Sequence, residues 1–221
     1  AIILAIKALE LDATLGEAHT VLGVVYNEYD RQYKSAKKEY IKALELNPNH
    51  ATTYQYYSEF LATEGKLQEA RELLNTAIQL DPFSYIIRYA SSLLYCKEGN
   101  FEKALSEIKI CDDLVKNNIG AVSVELKIHL FRLDEASAYK CFERLGQING
   151  EWTRAEADSI YHSAGIYELI KWGINKGEWL SESGKAEYYS LLGEDEEALR
   201  ILEELLDANK LFPFVTGSAE F

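Results

Sequence analysis

The sequence predicts an all-α protein made of consecutive antiparallel helix pairs. Three observations carry that expectation. Apolar and small residues recur at the three- and four-residue spacing of helices, in segments too long for strands. One pattern returns after 34 residues, from 51–84 to 85–118. Turn signals fall at matching places: Gly65, Gly99 and Gly193 inside units, Asn47-Pro48 and Asp81-Pro82 between them.

Residues 1–15 have the pattern of a second helix, with Ala8, Leu9 and Leu11 where the reference unit 51–84 has Ala77, Ile78 and Leu80. Its first helix is expected to lie upstream in a longer parent chain, and the absence of methionine fits an excised or processed piece. Residues 16–50 form the first complete unit. Ala18, Leu22, Gly23 and Tyr26 lie on one helix, and Ala36, Tyr40, Ala43 and Leu46 on the next. In the reference unit Tyr57, Ser58 and Leu61 face Ala70, Leu74 and Ala77, and Tyr95, Gly99, Phe101, Ala104, Ile108 and Cys111 repeat that pattern. Residues 119–152 keep the period but place Leu133 where glycine is expected and Gly150 where proline is. Residues 153–177 break the rhythm as an irregular helical joint, with a break at Gly165. Residues 178–209 return to the motif through Tyr188, Leu192, Gly193, Ala198, Leu202 and Leu205. The tail 210–221, with Pro213, cannot continue the helix and is expected to cap the last pair.

The period and the paired-helix pattern resemble the tetratricopeptide repeat. That resemblance implies a right-handed superhelix, or α-solenoid: an array over 1–152, a joint, a final pair and a cap. A narrower resemblance attaches to GEAHTVLGVVYNEYD, AKKEYIKALELNPNHATTYQYYSEFLATEGK and SIYHSAGIYELIKW. These stretches are similar to the C-terminal repeats of bacterial multidomain signalling proteins, where an effector, commonly a helix-turn-helix DNA-binding domain, precedes the array. The implied role is a non-catalytic sensing or protein-interaction segment, of a transcriptional regulator in the favoured case. A free-standing assembly adaptor and a small-molecule sensor stay open as alternatives.

A net charge of −13 argues against binding of a phosphate backbone by this segment, leaving a solvated acidic surface or a basic partner. No apolar run is long enough for a membrane helix, so no membrane contact by this segment is expected; a cytoplasmic placement is expected too, unless a membrane helix upstream leaves the segment on the far side. Cys96, Cys111 and Cys141 are odd in number and fall in helical patterns, which fits buried thiols better than disulfides.

In an array of the resembling kind the first helices line a concave groove. The first-helix residues not needed for packing are then Thr20, Val24 and Asn27, followed by Gln55, Tyr56 and Glu59. Tyr89, Leu93 and Cys96 continue the series, then Ser123 and Lys127. A mixed, partly aromatic groove suits an extended peptide or a helix of a protein partner. The same residues could instead be solvated, or covered by the tail or by a second copy in a homodimer. Thr20 and Val24 stand where carboxylate-clamp repeats carry lysine and asparagine, so capture of a chaperone C-terminus is not expected. Trp152, Tyr161, Tyr167, Trp172 and Trp179 gather around the joint, as an aromatic pocket or as core between two subarrays.

Catalysis and metal binding are not expected. His19, His50, His129 and His162 are scattered, with no short ligand pair to cysteine or to another histidine. GEDEEA at 193–198 gathers acids where they favour the start of a helix. No phosphate-cradling loop or nucleophile elbow is present. No cofactor is implied.

Overall fold

The computed structural model describes residues 2–176 and 180–207. Twelve α-helices and no strands occupy the described residues. They form two compact units, one within residues 1–100 and one within 101–211. None of these helices is long and apolar enough to cross a membrane.

The first unit holds α1 (Ile2–Leu11), α2 (Gly16–Glu28), α3 (Tyr33–Leu46), α4 (Ala51–Thr63), α5 (Leu67–Leu80) and α6 (Tyr85–Lys97). Each second helix buries a short apolar stripe: Ala36, Tyr40 and Ala43 on α3, and Ala70, Leu74 and Ala77 on α5. Alanine at these places lets the paired backbones come close, and larger side chains fill the remaining space. Tyr40 is fully buried and stacks on Tyr57 with ring centroids 5.5 Å apart. Gly23 permits this, since a Cβ there would lie 2.7 Å from the Tyr40 ring. α1 packs on α2 through Ala5, Ala18 and Leu22, leaving Ile3, Leu4 and Leu11 exposed. Tyr33, which opens α3, is exposed, whereas Leu67 at the start of α5 is half-buried.

One turn recurs inside the pairs. At the end of α4, Gly65 has φ +75° and the Lys66 N–H donates to the Leu61 carbonyl at 2.9 Å, closing the helix with a left-handed residue. In the second unit Leu133 takes the same conformation, φ +57°, with Asp134 N–H donating to the His129 carbonyl at 2.9 Å.

The second unit holds α7 (Phe101–Leu114), α8 (Ile119–Phe131), α9 (Glu135–Asn149), α10 (Arg154–Lys176), α11 (Glu182–Leu191) and α12 (Asp195–Asp207). Gly165, with φ +85° and ψ −178°, interrupts α10. α10 packs on α9, while α11 packs on α8 and pairs with α12. Phe142, Trp152, Leu169, Ile170 and Tyr188 share one core. Acids open α12 at Asp195, Glu196 and Glu197, where the helix dipole favours them. Cys96, Cys111 and Cys141 are buried free thiols. Trp179 and the tail 210–221 lie outside the described residues.

Candidate partner-binding face

In the first unit α2, α4 and α6 lie side by side, so one face collects side chains from three first helices. The expectation that the groove candidates are spare of packing is corrected for five of them. Thr20, Asn27, Gln55, Cys96 and Ser123 are all buried. Thr20 joins α2 to α4, its hydroxyl 2.6 Å from that of Thr53. Neighbouring first helices approach too closely for a small polar residue between them to stay solvated, so it bonds across instead.

Val24, Tyr56, Glu59, Tyr89 and Leu93 keep part of their surface accessible. Glu59 accepts a hydrogen bond from Gln55 Nε2 at 3.1 Å and makes no ion pair. Loss of solvent, reinforced by the charge of Glu28, pushes its carboxyl up to about 7. Burial also raises the Glu28 carboxyl. Asn27, one residue away on α2, has a buried Oδ1 with no hydrogen-bond partner. The phenol of Tyr56 is raised by burial and by the charges of Glu59 and Glu28, which places it beside both carboxylates. Among the described residues, the α2–α4 face thus gathers acidic acceptors with no cation paired to them.

The face of the second unit is already occupied. Ser123 Oγ lies 2.8 Å from the Tyr188 hydroxyl, which donates to the Ser123 carbonyl at 3.0 Å. Lys127 pairs with Glu187 and lies 5.4 Å from the centre of the Tyr188 ring. The two groove candidates of α8 are therefore seats for α11.

The aromatic candidates fill space. Trp152 is buried and stacks on Phe142, centroids 4.6 Å apart, with Trp172 edge-on at 6.1 Å. Gly146 and Gly173 make room, since a Cβ at either would clash with Trp152 or Phe142. Tyr161 stacks on Tyr139, and Tyr167 is exposed.

Comparison with known proteins follows the helix pairs. Residues 29–86, spanning α3 to α5, match the family model for the tetratricopeptide repeat. The fold is that of tetratricopeptide-repeat proteins. Human tetratricopeptide repeat protein 6 is 29% identical over 158 residues, covering 70% of this chain and 30% of that relative's length. The type IV pilus biogenesis factor PilW superposes with a TM-score of 0.62 at 17% identity, covering 91% of this chain and 81% of that one. YrrB, described as a repeat protein with an unusual peptide-binding site, gives a TM-score of 0.57 at 17% identity. That match covers 92% of this chain and 100% of YrrB. At such identities the structural matches establish the fold alone.

One grouping escaped the sequence. Glu125 and His129 of α8 meet Cys141 of α9, one potential ligand atom from each lying within 4.8 Å of the other two. The sequence holds no short pair of histidine with cysteine, and helix pairing brings His129 and Cys141 together instead. The i, i+4 spacing of Glu125 and His129 was visible in the sequence. The third member depended on the register between the two helices of this degenerate repeat.

Proposed function

We propose that this chain is a non-catalytic protein- or peptide-binding segment whose partner lies along the α2–α4–α6 face of the first unit and presents basic or amide donors there. The observation that carries this reading is the acceptor-rich patch around Glu28 and Glu59. Two partly accessible carboxylates raised by burial and an accessible Tyr56 are complementary to lysine, arginine or backbone N–H groups. Such pairing would be charge-assisted, and the net charge of −13 would steer a basic partner toward it. The binding of peptides by a protein of this fold is an analogy, and the acceptor patch belongs to this chain's own residues.

The test is binding of the partner to a triple variant, Tyr56→Ala, Tyr89→Ala and Leu93→Ala, with folding checked by circular dichroism. Loss of at least tenfold in affinity is expected. A folded triple variant that retains every partner would remove the face from consideration. The narrower setting, the sensing segment of a bacterial transcriptional regulator, is supported by the sequence resemblance of the quoted stretches. A helix-turn-helix domain encoded upstream in the same reading frame is the outcome it requires.

A further inference from the structure

We propose that Glu125, His129 and Cys141 form a binding site for a zinc-like divalent transition metal, with water in the fourth coordination position.

The three side chains supply one oxygen, one nitrogen and one sulfur, a donor set suited to zinc rather than to magnesium or calcium, which take oxygen alone. Glu125 and His129 lie one helical turn apart on α8, so both project from the same side. Cys141 comes from α9, the helix paired with α8. The ligand atoms lie within 4.8 Å of each other. Zinc bonds of about 2.0–2.3 Å give a tetrahedral edge of about 3.3–3.8 Å. Closing the site therefore requires side-chain movement of about 1 Å and no rearrangement of the helices.

The local chemistry is unbalanced without a cation. His129 Nδ1 is buried with no hydrogen-bond partner. The carboxylate nearest to it, Asp134 Oδ2, stands 3.3 Å away. A carboxylate beside a ligating imidazole is a common orienting partner in metal sites. Cys141 is a buried free thiol beside the Glu125 carboxylate. Metal binding exchanges the S–H bond for an S–metal bond and releases the proton to solvent, and the cation offsets Glu125 and Asp134 together.

The experiment is titration of the 221-residue chain with Co2+ under reducing, oxygen-free conditions, followed by displacement with Zn2+. One equivalent should give a thiolate-to-cobalt charge-transfer band and the visible bands of tetrahedral cobalt, both lost on adding Zn2+. Cys141→Ser should abolish the charge-transfer band, and His129→Gln should weaken binding at least tenfold. Cys111→Ser should leave both unchanged. A folded wild-type chain that shows no thiolate band in excess Co2+ overturns the proposal, as does a band that survives Cys141→Ser. Should Cys141→Ser fail to fold, His129→Gln and Glu125→Gln decide, because unchanged Co2+ affinity in both also overturns it.

Discussion

Arg71 shows how much one side chain can tie together in a repeat. From α5 its guanidinium donates to both Glu98 oxygens, at 3.1 and 3.0 Å, and to Ser91 Oγ at 3.1 Å. It also lies 3.5 Å from the centre of the Tyr95 ring. Removing one partner of an enclosed charge pair leaves the other uncompensated. Arg71→Met should therefore cost about 2–4 kcal/mol in urea unfolding. Arg71→Lys should recover little, since lysine lacks the planar fork that holds two oxygens at once. Glu59 makes a prediction of the opposite sign. Pushed up to about 7, its carboxyl lies above the ordinary glutamate range, so the folded state holds this proton more tightly than the unfolded chain does. Its favourable contribution is complete below the unfolded pKa and is lost as pH rises through the folded one. Glu59→Gln should consequently melt higher than wild type at about pH 8 and nearly level with it at about pH 4. An equal difference at both values would remove the titration argument.

At the scale of the helix pair, the turn after the first helix separates what the sequence disclosed from what it concealed. Gly65, Gly99 and Gly193 sit at φ of +75°, +70° and +76°, and their spacing alone marked the turns. Leu133 was visible as the exception, and the structure shows the same backbone without the glycine to suit it. The left-handed conformation costs a side-chain-bearing residue about 1–2 kcal/mol, and Leu133, 73% exposed, has little packing to lose. Leu133→Gly should raise stability by about 0.5–1 kcal/mol after the added freedom of the unfolded chain is counted, whereas Leu133→Ala should not. Local pattern could not disclose the seating of α11. Ser123 and Tyr188 are 65 residues apart, and their bond exists because α10 packs on α9 and leaves the flank of α8 to α11. Spacing within a helix carries no information about such a detour. For the same reason Ser123 and Lys127 looked available when they were already engaged. On the first unit the choice of helix face was legible, but whether Thr20 or Asn27 would be buried depended on how closely neighbouring first helices approach.

At the scale of the whole chain, an acidic excess of 13 charges sets how it responds to salt. Self-repulsion between like charges is screened over about 10 Å at 0.1 M ionic strength. Thermal stability should rise with sodium chloride, while affinity for a basic partner should fall, and melting and binding curves at two salt concentrations would test both directions. The stacked tryptophan and phenylalanine of the second core have a further, spectroscopic consequence. All three tryptophans, Trp152, Trp172 and Trp179, follow residue 151, whereas residues 1–100 contain many tyrosines and no tryptophan. Emission excited selectively at the indole band is consequently a built-in reporter for the C-terminal half. Far-UV ellipticity records every helix. Paired in a single denaturation experiment, the two signals show whether the C-terminal half melts together with the rest of the chain, without the attachment of a dye.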